Sequence, residues 1–201
     1  MDWGKPTLPE RYLNTIKKTN LGKIDLELLR KFYVEFICSY EYKFELEDNT
    51  VLKVYFEENH LPHLLGLHKL RATTGKKATD IIEEIKDGRL NLKDVKESDN
   101  NSLKKISDRL CFFPTIETVL NFTTFIIEFD ALKCIPTKLD CSFLLKSEKI
   151  NVTVYLGIRE TDFNSKELTC FPVTFLVDRV NQFKEEKQNV KKVISFTKRK
   201  I

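Results

Sequence analysis

All three histidines of this 201-residue chain, His60, His63 and His68, fall within nine residues of one another. No acidic residue occurs between Asn59 and Thr79, whereas Lys69, Arg71, Lys76 and Lys77 do. Imidazoles that titrate near neutral pH, set among cations, suit a segment that holds a phosphodiester and moves protons. A metal is the competing use. His60 and His63 could converge on an ion with Glu57 or Glu58 completing the set, although Pro62 lies between them and no cysteine is near. On one continuous helix His63 and His68 would lie about 140° apart, so all three rings could not share one ion. Packing is the third reading. His68 falls on the side of Leu61, Leu64 and Leu65, and His63 lines up with Leu67 and Leu70.

A second inventory comes from period-two alternation late in the chain. Phe171, Val173, Phe175 and Val177 read as one core face, which leaves Thr174 on the open side. In the preceding run Val152, Val154, Leu156 and Ile158 oppose Thr153, Tyr155 and Arg159. Earlier still, Cys141, Phe143 and Leu145 oppose Ser142 and Lys146. If these runs are neighbouring strands, one face gathers Ser142, Lys146, Tyr155, Arg159 and Thr174. That set offers cations for an anionic transition state and hydroxyls for phosphate oxygens. A merely solvated sheet face would have the same pattern.

The elements that must position these groups are legible in outline. Leu29, Phe32, Tyr33, Phe36, Ile37 and Tyr40 recur at three and four, predicting an amphipathic helix capped by Asp25. Tyr42–Leu46 and Val51–Phe56 alternate around Asp48-Asn49 as a hairpin. A short helix starts at Pro62, another covers Ala78 to Lys86 and stops at Gly88, and a third runs from Asn101 to Phe112 and resumes towards Leu120. Strands are predicted over 122–129, 140–146, 151–159 and 167–177; Val190–Phe196 fits a strand or a helix. The resulting class is α+β, with helices packed on an antiparallel β-sheet. One domain spans 1–201, with an irregular arm over 1–23 and a basic segment over 181–201.

Composition narrows the classes. The chain is 41% hydrophobic and 32% charged with fifteen Phe, which excludes a disordered or collagen-like protein. From Asn181 onward seven basic residues oppose Glu185 and Glu186, giving +5 of a total of +4, so the first 180 residues sum to about −1. A neutral body argues against a general polyanion-coating protein. There is no apolar leader and no run near the ~20 apolar residues of a spanning helix, and the five cysteines form no CxxC pair. A reducing, cytoplasmic setting with free thiols and no membrane is expected.

The run Phe56…Asn59-His60-Leu61-Pro62-His63-Leu64-Leu65-Gly66-Leu67, with Lys69-Leu70, resembles the F-x-HLLGL block of the phage-type barnase/EndoU/colicin/RelE-like nuclease family. Asp140-Cys141-Ser142-Phe143-Leu144-Leu145 and Phe171-Pro172-Val173-Thr174-Phe175-Leu176 look like its two C-terminal strand blocks, so the likeness spans Phe32 to Val177. It implies a metal-independent endoribonuclease core from phages, mobile elements or bacterial conflict systems, using 2′-hydroxyl transesterification and no cofactor. The family histidine falls on His63 and the late-strand hydroxyl on Thr174.

Strand parity adds Arg159 and Lys146 as cations; His60 or His68 is the candidate acid for the leaving group, with no spacing argument to select between them. Lys69, Arg71, Ser142 and Tyr155 are candidates for substrate binding. Implied partners are RNA (tRNA among the candidates) and an inhibitory antitoxin protein, with the basic segment available to either. A catalytically silent RNA- or protein-binding module of the same fold is the alternative.

Overall fold

The computed structural model describes residues 9–134, 139–161, 166–180, 183 and 185–201. The Asp25 carboxylate accepts the Leu28 amide at 2.8 Å and starts α1 (Leu26–Tyr33), which continues into a π-helical turn over Val34–Cys38. The hairpin follows as β1 (Tyr40–Leu46) and β2 (Val51–Val54), with Asn49 at positive φ in the turn. Five helices then intervene: α2 (Leu61–Leu65), α3 (Ala78–Lys86), α4 (Leu92–Ser98), α5 (Asn100–Phe112) and α6 (Ile116–Phe122). The sequence pattern missed α4, a seven-residue helix that buries Val95 from its own turns. The chain closes with β3 (Thr123–Glu128), β4 (Phe143–Ser147), β5 (Thr153–Glu160), β6 (Glu167–Asp178) and β7 (Asn189–Lys200).

These strands do not form the open antiparallel sheet expected. They close into a seven-stranded barrel in the order β1-β2-β6-β5-β4-β3-β7, in which β2 and β6 run parallel. Closure is the work of β7. Its first residues, Asn189–Lys192, pair with β3, and the rest, Val193–Lys200, pair with β1. Of the strand and helix alternatives for Val190–Phe196, the strand is the one formed, and it extends over Asn189–Lys200. Lys191 pairs with Asp48 and Glu128, Arg199 with Glu41, and Lys198 with Glu117 while lying over the Tyr40 ring. Charge count alone cannot separate a solvated tail from a strand that matches three of its cations across its neighbours.

Inward side chains of the barrel and the apolar faces of the helices merge into one core. Tyr42, Phe44, Leu52, Val54, Leu145, Leu156 and Phe175 meet Leu29, Phe32, Leu61, Leu65, Ile106 and Leu120 there. Phe113, between α5 and α6, joins the layers through Tyr33 at 5.9 Å and edge-on to Phe175 at 5.3 Å. Burying each such ring is worth about 1.5–3 kcal/mol, which explains the need for so many phenylalanines.

A smaller apolar cluster lies on the outer face of β3–β5, where Ile127, Leu144 and Tyr155 are covered by Phe183 and Cys141. Parity in β6 breaks at a bulge, since Gly157 pairs with Thr174 but Ile158 with Pro172, skipping Val173. Consequently Cys170 and Phe175 both reach the main core, whereas Val173 packs outside, contrary to the single Phe171-Val173-Phe175-Val177 face.

The bulge depends on a close approach. A Cβ on Gly157 would lie 2.6 Å from Thr174 Cγ2, so only glycine lets the threonine lie across β5. Gly157→Ala is expected to destabilise the protein by about 1–3 kcal/mol. Adding Thr174→Ser, which removes the obstructing methyl, should restore at least half of the loss. Urea unfolding of the single and double variants measures both, and equal midpoints for wild type and Gly157→Ala would refute the steric argument.

Candidate functional site

Local geometry of the histidine segment departs from one continuous helix. Pro62 sits in the first turn of α2, where a missing amide costs nothing, and the helix ends after one and a half turns at Gly66. Gly66 takes the left-handed conformation (φ +76°), and a short 3₁₀ turn over Leu67–Lys69 follows. That reversal removes the angular separation expected for His63 and His68. Their rings stack with centroids 4.8 Å apart and planes within 16°. Both are exposed, while Leu61, Leu64, Leu65 and Leu67 take the packing positions. His60 is half-buried, stacks on Phe171 at 6.0 Å, and accepts the Glu57 amide at Nδ1 (3.1 Å). This bond leaves His60 neutral with its proton on Nε2.

The three rings open into two adjoining clefts against β6. One, about 630 Å³, is lined by His63, His68, Lys69, Arg109, Thr174 and Arg179, among others. The second, about 520 Å³, is lined by Asn59, His60, His63, Arg159, Phe171 and Thr174 among others. His63, Leu139 and Thr174 belong to both. A further cavity of about 640 Å³ between residues 20–27 and α4–α5 holds no histidine and is lined by leucines and isoleucines mixed with Asp25, Glu27, Lys93 and Lys96.

Of the residues singled out by sequence, His60, His63, His68, Lys69, Arg159 and Thr174 line the clefts. Lys146, Ser142, Tyr155 and Arg71 do not. Tyr155 is 1% exposed in the outer apolar cluster, its hydroxyl directed at the Phe183 carbonyl. Lys146 borders a separate shallow depression with Phe125 and Glu148. Ser142 is held by backbone bonds to Phe129 and Ile158, and Arg71 lies beside Asp99.

Arg109 is the residue that sequence reading missed. It comes from α5, 46 positions from His63, and its guanidinium donates to the His63 carbonyl at 3.2 Å. It also packs against Gly66, where an added Cβ would lie 3.3 Å from Nη1. A lone arginine on a helix otherwise read as core-facing carries no local signal of this contact.

Positive charge dominates the clefts. Arg159 is held by Asp140 (2.5 Å), and Arg179 by Asp108 (3.0 Å). Asp178 accepts the backbone amides of Val180 and Phe183. Lys69 and Arg109 form no ion pair among the described residues. Burial, then Arg109 and Lys69, holds the His63 imidazole below the usual histidine range. His68 falls further, to about 4, through burial and then His63, Lys69 and Arg109. Burial and then Arg109 lower Lys69 as well, and burial lowers Arg109. Burial also lowers His60, against the opposing pull of Glu57.

The alternative metal set does not assemble. Glu58 is paired to Arg30 and Lys86, Glu57 accepts from Asn59, and no three His, Cys, Asp or Glu converge among the described residues. The five cysteines are free thiols. Among the described residues no helix is long and apolar enough to cross a membrane.

A family model described as phage-Barnase-EndoU-ColicinE5/D-RelE like nuclease4 matches residues 29–201. The chain belongs to this nuclease family. The family match extends beyond the Phe32–Val177 likeness to take in β7, and it contains every residue named above as lining the two clefts. No curated protein and no solved structure matches the chain significantly.

The depressed imidazoles have a stability consequence. Well above pH 6.5 these rings are neutral folded or unfolded and contribute no pH dependence. As pH falls from 6.5 towards 4 the unfolded chain takes up protons that folded His68 refuses, so stability drops across that window. NMR titration should place the His68 midpoint near 4. The urea midpoint of His68→Gln should fall less between pH 7 and pH 4.5 than that of wild type. A His68 midpoint at or above 6.5 would contradict the cationic environment described.

Proposed function

We propose that this protein is an endoribonuclease that cleaves RNA by internal transesterification without a metal. The observation that carries the reading is the exposed His63 ring, neutral at pH 7, where two adjoining clefts meet at His63 and Thr174, one lined by Arg109 and the other by Arg159. In this scheme the His63 imidazole takes the proton of a 2′-hydroxyl, and the 2′-oxygen attacks the adjacent phosphorus. The bond from phosphorus to the 5′-oxygen breaks, leaving a 2′,3′-cyclic phosphate and a 5′-hydroxyl.

Arg109 and Arg159 offset the charge of the pentacovalent phosphorane, and Thr174 donates to a non-bridging oxygen. Arg109 takes the role that strand parity gave to Lys146, because it lines the cleft. The leaving 5′-oxygen needs an acid that is protonated at pH 7. His60 cannot serve while its Nδ1 accepts the Glu57 amide, and His68 is largely neutral. Lys69 is protonated and its affinity for that proton is reduced, which suits it to the task. His60 then acts as a neutral Nε2–H donor to phosphate. Lys69 and Arg109, which form no ion pair among the described residues, also fit an acidic inhibitor protein.

Incubation with a labelled RNA pool should give chelator-resistant cleavage with 2′,3′-cyclic phosphate ends. His63→Ala should lower the rate at least 100-fold, a typical general-base contribution, while leaving thermal stability nearly unchanged because the ring is exposed. The acid limb of the pH–rate profile should have its midpoint below 6.5, since the base acts only when unprotonated. Loss of cleavage in EDTA, or full activity in His63→Ala, would overturn the scheme. Intact RNA across varied substrates would favour the silent binding module.

A further inference from the structure

The outer wall of the barrel carries a second surface with the chemistry of nucleic-acid contact. Phe125 is 43% exposed, and Phe122, three residues earlier at the α6–β3 junction, is 39% exposed. In the ladder Phe125 faces Lys146 on β4 and Lys192 on β7, so a lysine flanks the ring on either side. Lys149, in the β4–β5 turn, lies over the Phe122 ring 3.7 Å from its centroid. Ile194, 55% exposed, prolongs the apolar strip along β7.

The lysines here differ from their neighbours. Lys191, Lys198 and Arg199 of β7 are matched by carboxylates, whereas Lys149 and Lys192 have no ion pair among the described residues. Glu148 borders the depression beside Phe125. Exposed rings interleaved with unmatched ammonium groups favour a ligand that is flat and apolar in one part and anionic in another. Stacked bases joined by phosphates answer that description.

Register places this surface relative to the cleft. Thr174, Gly157, Leu144 and Ile127 form one row across β6, β5, β4 and β3, and Leu176, Tyr155, Lys146, Phe125 and Lys192 form the next. Phe125 thus shares the outer face with Thr174, three strands away, or about 14 Å along the sheet. We propose that Phe122 and Phe125, with Lys146, Lys149 and Lys192, form an accessory platform that stacks single-stranded RNA a few nucleotides from the cleft. The choice of RNA rests on the endoribonuclease reading; the platform itself rests on the exposed rings and on Lys149 and Lys192, which have no ion pair among the described residues.

Fluorescence anisotropy with 2′-O-methylated RNA, which the proposed chemistry cannot cut, tests the platform without requiring activity. Phe125→Ala should weaken binding of a labelled 12-mer about tenfold and leave a 3-mer unchanged, while Phe125→Trp retains 12-mer affinity. Lys149→Ala with Lys192→Ala should reduce the slope of log affinity against log salt by about 1.4, the value for two phosphates on a single strand. This pair gives an independent reading if Phe125→Ala fails to fold.

Unchanged 12-mer affinity in folded Phe125→Ala, or an equal loss for both lengths, would overturn the proposal. Cleavage of an unmodified short RNA reports the cleft separately. Phe125-dependent binding without any cleavage would refute the endoribonuclease and keep the platform. Cleavage without Phe125-dependent binding would remove the platform alone and leave the patch to a protein partner.

Discussion

A sheet of seven strands has two edges unless something joins them, and here β7 hydrogen-bonds to both. It takes β3 with its first residues and β1 with the remainder, so neither edge is left as a template for another chain. Closure fixes the wall against which the rest is built. The helices between β2 and β3 lay their apolar faces into the common core, and α2 and α5 come to rest against β6. The cleft is the seam where this helical layer meets the barrel. Its groups therefore come from segments far apart in sequence: α2, α5, β5 and β6.

Two backbone events set the chemistry of that seam. The left-handed Gly66 ends α2 early and folds His68 back onto His63. The bulge opposite Gly157 brings Thr174 to the outer wall beside them, despite the apolar character of its strand. Burial, then Arg109 and Lys69, which form no ion pair among the described residues, keep the His63 imidazole below the usual histidine range, and the same groups act on His68. A phosphodiester entering the cleft would supply the missing counter-charge.

Local patterns foretold most elements. The Asp25 cap, the hairpin around Asp48-Asn49, the α3 and α5 spans and the four strands from β3 to β6 all follow from periodicity and turn chemistry, which act over a few residues. The histidine cluster was visible for the same reason, as was its family likeness. Long-range pairing decides three further readings. The Val190–Phe196 pattern allows a strand or a helix, and pairing with β3 and β1 makes it a strand. The face carrying Tyr155 looked open until Phe183 covered it. The β6 alternation held only as far as the bulge.

Residue types and short spacings by themselves determined that this chain carries neutralisable imidazoles among cations on an α+β scaffold. That much is a property of side-chain chemistry and of hydrogen bonds within single elements. Only the tertiary structure decided that the sheet closes and that Arg109 rather than Lys146 joins His63. It likewise decided that His63 and His68 stack instead of diverging. Those outcomes depend on contacts between residues tens of positions apart, and on single left-handed or bulged residues that reset which way every following side chain points.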